Sequence, residues 1–284
     1  MRRATVPVVT ASTPDALWAS RSVRHLRPGA VMLRDLRRAI GRRRVLDGAT
    51  LAVPVGARVL VASQPGEAAS LLLRILAGLA RADSGSIRLA GLETADPERG
   101  GWRRRVTYLG PGGALPGWIS PREALDLAAS LLGYDRAERA ELVEKAIGRY
   151  GLHRGPGPDR PLRRGGTAFA ERTALAAAVV GRPEVLLLDE PLRSLTADER
   201  AELLGAVPRR TTILLASRLP ASEAGLVNQV ALLRDGRFVL HARVTELERR
   251  GLPLSLRGME ALAALASRAP IPATPGAPAS SAAR

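Results

Sequence analysis

The most chemically suggestive residues in this chain are the carboxylate pair Asp189-Glu190. They close the run Gly181-Arg182-Pro183-Glu184-Val185-Leu186-Leu187-Leu188-Asp189-Glu190-Pro191. An apolar run of this length is a buried strand, and its C-terminal end is where open α/β sheets bind ligands. The placement suits acids that act on a ligand, and equally acids that cap or salt-bridge a strand end. Other chemistry is scarce. Cysteine is absent, which excludes disulfides and thiolate-bound zinc, and His25, His153 and His241 have no ligand-like spacing. Lys145 is the only lysine, within the helical segment Arg136 to Arg149, and no G-K-[ST] occurs anywhere.

Short β-branched runs alternate with helical pattern around this pair. Val59 to Ala62, Arg104 to Leu109, Val185 to Leu188, Thr212 to Ala216 and Gln229 to Leu233 read as strands. The alternation predicts an α/β fold with parallel strands, and Val59 to Ala62 is expected beside Val185 to Leu188. Ser120-Pro121-Arg122-Glu123 and Thr196-Ala197-Asp198-Glu199 have the form of capping boxes, and Asp235-Gly236 signals a tight hairpin turn. From Ser120 to about Val180 helical pattern dominates, broken by Gly151 to Gly166, so a helical insertion interrupts the sheet.

At 284 residues and 46% hydrophobic content the chain can bury a large core. No stretch is long and apolar enough for a membrane-spanning helix, so a cytoplasmic location is expected. Residues 1–30 and Pro270 to Arg284 read as tails that cannot order themselves. A formal charge of +16 would suit an acidic partner, but the arginines are scattered in short runs with few aromatics between them. That pattern argues against nucleic acid.

Three passages in one register resemble ATP-binding-cassette (ABC) transporter ATPase domains. The Asp189-Glu190 run resembles their Walker B segment. Leu72 to Leu79, followed by Ser84 to Gly91, is similar to the helix and strand after the phosphate loop. Val230-Ala231-Leu232-Leu233-Arg234-Asp235-Gly236-Arg237 matches their closing hairpin. The resemblance implies a P-loop NTPase-like fold, with a parallel-sheet core, an antiparallel β subdomain and a helical insertion at about 119–180. It covers 31–250 and leaves 251–284 as a C-terminal helix and tail.

The resemblance also places the family's functional positions. The phosphate loop falls at Ser63-Gln64-Pro65-Gly66-Glu67-Ala68-Ala69-Ser70, against a pattern of G-x-x-x-x-G-K-[ST], and only Ser70 survives at a defining position. Ala69 stands where the family's lysine reaches the phosphates. Ser63 and Ala68 replace flanking glycines, an expected backbone penalty wherever left-handed geometry is needed. The signature position reads Gly165-Gly166-Thr167-Ala168-Phe169, the Q-loop position Pro111, the H-loop position Arg218, and the adenine-stacking position about Ile40. By resemblance Asp189 and Ser70 would hold Mg²⁺, and Glu190 would be the general base.

The implied function is an ATP-binding subunit on the cytoplasmic face of the membrane, partnered by a permease and by a second ATPase domain as homodimer or heterodimer. ATP and Mg are the implied ligands. With both the phosphate loop and the signature altered, neither composite site of a dimer would be complete, so binding is expected to be weak or absent and the role that of a non-hydrolysing scaffold or regulator. A conventional transporter ATPase with unusual ligands, and a basic adaptor for nucleic acid, are the alternatives.

Overall fold

The computed structural model describes residues 29–64, 67–95, 100–113 and 115–268. The expected tails lie outside these, except Gly29 and Ala30. An antiparallel hairpin, β1 (Val31–Ile40) and β2 (Arg43–Val53), leads into β3 (Arg58–Gln64), α1 (Glu67–Leu76), β4 (Ser84–Leu89), β5 (Leu92–Glu93) and β6 (Val106–Leu109). The helical insertion follows as α2 (Pro121–Leu131), α3 (Arg136–Arg149) and α4 (Gly166–Val179). Then come β7 (Val185–Asp189), α5 (Ala197–Gly205), β8 (Thr212–Ala216), β9 (Gln229–Arg234), β10 (Arg237–Arg243), α6 (Val244–Arg249) and α7 (Leu256–Arg268).

These strands form two sheets, an antiparallel one in the order β2-β1-β4-β5 and a mainly parallel one in the order β10-β9-β3-β8-β7-β6. One expectation fails here. Val59 to Ala62 and Val185 to Leu188 share a sheet but are not neighbours, because β8 lies between them and pairs with both, Val61 opposite Ala216 and Leu188 opposite Leu215. Parallel strands are joined by crossovers that can skip a position, and an apolar run marks a strand as interior without encoding its place in the order. The strand expected from Arg104 is also shorter, since Arg104 ends a 3-10 turn over Gly100–Arg104 before β6 begins.

The central strands are apolar throughout because both faces are covered. Leu60, Leu186 and Leu188 pack with Leu125, Leu175 and Met259 beneath α2, α4 and α7. Val59, Val61 and Leu187 pack on the other face with Leu72, Leu73 and Leu76 of α1 and with Leu33 and Leu51 of the antiparallel sheet. Local signals place the ends of the elements. Ser120 and Thr196 each close a capping box on Glu123 and Glu199, and Asp135 with Glu138 forms a third. Asp235 (φ 50°) and Gly236 (φ 75°) make the turn between β9 and β10. Only glycine fits the second position, because a Cβ there would lie 2.5 Å from the Asp47 nitrogen, whose N–H donates to the Gly236 carbonyl at 2.9 Å.

Candidate functional site

The C-terminal ends of β3, β7 and β8 meet the start of α1 around a cavity of about 220 Å³, lined among others by Ser63, Ser70, Glu190, Ser217, Arg218 and Leu256. Position follows from the sheet, as the strands are parallel and deliver their last residues to one edge. Asp189 is buried, and both its oxygens accept from hydroxyls, Oδ1 from Ser70 Oγ at 2.7 Å and Oδ2 from the Tyr108 hydroxyl at 2.9 Å. Burial first, and then the hydrogen bond to Asp189, push the Tyr108 phenol up to about 12, so it stays a donor at any ordinary pH.

Glu190 continues the pairing of β7 with β8 by one residue, its N–H donating to the Ala216 carbonyl at 2.9 Å. Its backbone adopts φ 50°, a left-handed conformation that costs a non-glycine residue about 1 kcal/mol or more. The turned backbone aims the buried carboxylate at three donors on the chain itself. The Arg218 N–H donates to Oε1 at 2.7 Å, the Arg218 guanidinium stands 3.6 Å from the same oxygen, and the Arg193 guanidinium donates to Oε2. Arg218 is held by its backbone more than by its side chain, which is 72% exposed. Beneath it a buried ion pair fixes the strand end: Glu223 faces Arg200 at 3.4 Å and accepts from Ser217 Oγ at 2.9 Å.

The phosphate-loop positions are divided. Pro65 and Gly66 lie outside the described residues. Ser63 ends β3 as a buried residue, and its Oγ accepts the Ala69 N–H at 3.1 Å, which occupies one of the free donors at the start of α1. Ser63 and Ala68 do not have positive φ, so the left-handed penalty expected there does not arise: one is in a strand and the other in a helix. Gln64 ends β3 and Glu67 begins α1. The Ala69 side chain is buried against the apolar layer around α1 and presents no cation.

The remaining positions stand elsewhere. Gly165 is the N-cap of α4 with no side-chain cap, Gly166 has φ 72°, and Thr167 lies exposed in the first turn. Gly165, Ala168 and Phe169 line a second cavity of about 310 Å³ with Arg154, Arg172 and Glu199, apart from the Asp189 cleft. Gly165 is required there, since a Cβ would sit 2.4 Å from the Phe169 ring. Pro111 is exposed in a short 3-10 turn after β6, and Ile40 is 56% exposed at the end of β1. Sequence reasoning missed Tyr108, Arg193 and Glu223. Proximity of Arg193 to Glu190 was available as an i,i+3 spacing, but Tyr108, 81 residues from Asp189, and Glu223, 23 residues from Arg200, carry no local signal.

Comparison with known proteins adds to this geometry. The family model described as ABC transporter matches residues 46–193. The aliphatic sulfonates import ATP-binding protein SsuB of Ralstonia nicotianae is 34% identical over 230 residues, covering 78% of this chain and 76% of that protein. The daunorubicin/doxorubicin resistance ATP-binding protein DrrA of Streptomyces peucetius is 29% identical over 210 residues, and the match spans 72% of this chain but only 62% of DrrA. Among solved structures, an ATP-binding subunit of an ABC transporter superposes with a TM-score of 0.69 at 21% identity, covering 83% of this chain and 99% of the other. A dimeric ATP-binding cassette in a post-hydrolysis state with ADP and Pi gives 0.65 at 16% identity, covering 75% and 98%. These two likenesses speak to the fold, and the family match with the SsuB relative speaks to ancestry: the chain belongs to the ABC transporter family.

Proposed function

We propose that residues 31–250 form the nucleotide-binding-domain homologue of an ABC-type membrane transport system, peripheral on the cytoplasmic face. In this reading the subunit supports a permease, and pairs with a second ATPase domain, as a non-hydrolysing scaffold or regulator. The observation that carries the reading is the self-contained charge of the cleft: Glu190 is engaged by Arg193 and Arg218, Asp189 by Ser70 and Tyr108, and position 69 is an alanine. Nothing on that list reaches for a triphosphate. Losing one partner of a desolvated charge pair costs roughly 2–5 kcal/mol, or about thirtyfold to several thousandfold in affinity. The arginine charge nearest the cleft faces Glu190, from Arg193 by a hydrogen bond and from Arg218 at 3.6 Å, and Pro111 offers no side-chain oxygen to a cation.

One observation favours the other reading, of a working ATPase with unusual ligands. Ser70 Oγ and Asp189 Oδ1 stand 2.7 Å apart, a pair of hard oxygens that fits Mg²⁺. When bound, Mg²⁺ would supply charge neutralisation to phosphate, with Ser70 and Asp189 as the residues that hold it. Calorimetric titration of ATP with and without Mg²⁺ separates the two. Weak or absent binding in both titrations is the expected result, and micromolar binding that requires Mg²⁺ would establish a rebuilt site.

A further inference from the structure

The second cavity, between α4, the start of α5 and the loop after α3, holds charge that the fold does not balance. Its charged lining is two guanidinium groups, Arg154 and Arg172, and one carboxylate, Glu199, which leaves a single positive charge. Arg172 and Glu199 are fixed against each other. The Arg172 side chain, 12% exposed, donates from Nη2 to Glu199 Oε1 at 3.2 Å and from Nη1 to the Tyr150 carbonyl at 3.4 Å. Glu199 Oε2 accepts from the Thr196 N–H and the Thr196 hydroxyl, each at 3.0 Å, within the α5 capping box. Those bonds, the backbone one first, hold the Glu199 carboxyl below the usual carboxylate range, so it stays an anion. Arg154 has no carboxylate within ion-pair distance among the described residues. It nevertheless comes to the same place as Arg172, since a Cβ on Gly151 would lie 3.4 Å from Arg172 Nη1 and 3.8 Å from Arg154 Nε. Like charges that converge on one point favour an anion between them.

The walls around this point are apolar: Phe169 and Leu195, both buried, and Pro156 line the rest. A volume of about 310 Å³ is at the small end for a ligand pocket. We propose that this cavity binds a small organic monocarboxylate with a compact apolar body, its carboxylate between Arg154 and Arg172 and its body against Phe169 and Leu195. The planar guanidinium fork matches a carboxylate through paired hydrogen bonds, and one negative charge balances the one positive charge left over. A phosphate dianion fits less well, because its second charge would face Glu199. Gly165, Ala168 and Arg172 recur at the spacing of one helix face, whereas the exposed Gly166 and Thr167 at the start of α4 do not line the cavity. The site is separate from the Asp189 cleft, and the proposal stands whether or not nucleotide binds there.

Ligand-observed fluorine NMR of para-fluorobenzoate with the full chain tests it. Saturable binding is expected, with the uncharged para-fluorobenzamide unable to compete and inorganic phosphate competing only weakly. Arg154→Gln should lower the affinity by roughly tenfold or more, since a charge-assisted hydrogen bond is lost, and Arg154→Lys, which keeps the charge without the fork, by less. Arg154 is exposed and carries no ion pair among the described residues, so circular dichroism and the melting temperature should be unchanged in both variants. No saturable binding of the benzoate, an equal affinity in Arg154→Gln, or competition by the amide would overturn the proposal. So would phosphate competing as well as benzoate itself, or displacement of the benzoate by MgATP, an outcome that would assign the two arginines to a nucleotide phosphate.

Discussion

The interior of β7 and the two residues at its end are adjacent in the chain and obey different rules. Val185 to Leu188 are wholly buried, alternate between two apolar layers, and need only their own hydrophobicity to be placed. Asp189 and Glu190 are buried almost as well, yet each depends on polar partners brought from elsewhere: Ser70 and Tyr108 for one, Arg193 and Arg218 for the other. Burial without such partners is costly for a carboxylate, so the end of the strand is a network in which each member is accountable to the rest. The comparison teaches that retained acidic residues at this edge do not by themselves signal catalysis. They can be kept because the arginines and hydroxyls around them require them.

The largest expected effect falls on the apolar side of the comparison. Leu187→Ala removes a fully buried side chain from the layer shared with α1, and should cost about 2–5 kcal/mol of stability in a denaturant titration. Interior strands tolerate such loss poorly because neighbours on both faces cannot collapse into the cavity. A cost under about 1 kcal/mol would show that β7 is looser than its burial indicates.

A smaller effect comes from a titrating group inside the same sheet. His241 on β10 is hydrogen-bonded through Nε2 to Gln229 Oε1 at 2.8 Å, and burial lowers its pKa from 6.5 to about 4. Between those values the unfolded chain takes up a proton that the folded protein refuses. Stability that is fully present above about pH 6.5 is therefore lost as the pH falls toward 4, by at most about 3 kcal/mol. His241→Gln, which cannot gain the charge, should flatten that part of the stability profile. An unchanged slope in His241→Gln would show that this imidazole does not carry that part of the pH dependence.

The fold was largely legible in the sequence because its signals are local. Ser120 with Glu123, Thr196 with Glu199 and Asp235-Gly236 act over two to four residues, and the apolar runs of β3, β7 and β8 are continuous because both faces are covered. Strand order was not legible, and the neighbour of β3 was misplaced, because crossover connections leave no mark in the residues they join. The cleft was legible only in outline. Asp189, Glu190, Ser70 and Arg218 could be found because the family register places them, but Tyr108 reaches Asp189 across 81 residues from outside any motif position, and no periodicity relates the two. The left-handed backbone of Glu190 was invisible for a related reason: glutamate gives no hint of positive φ, and only the surrounding network holds it there.

The smallest expected effect is the most decisive for the carboxylate end. Glu190→Gln keeps an oxygen to accept the Arg218 N–H and removes the charge facing Arg193 and Arg218. Both guanidinium groups are substantially exposed, 48% for Arg193 and 72% for Arg218, so water can take over much of their solvation and the stability change should stay within about 1 kcal/mol. If the carboxylate is there for the network, background ATP hydrolysis by the purified protein should be the same before and after the substitution. A general base behaves differently: its removal lowers turnover by roughly 10²–10⁴-fold, because the attacking water loses the group that takes its proton. The two roles therefore separate on one measurement in which stability acts as the control. A folded Glu190→Gln protein that loses a measurable rate, or accumulates as an ATP-bound dimer, would show that Arg193 and Arg218 release the carboxylate when nucleotide arrives, and the cleft would then be an enzyme's active site held closed by its own arginines.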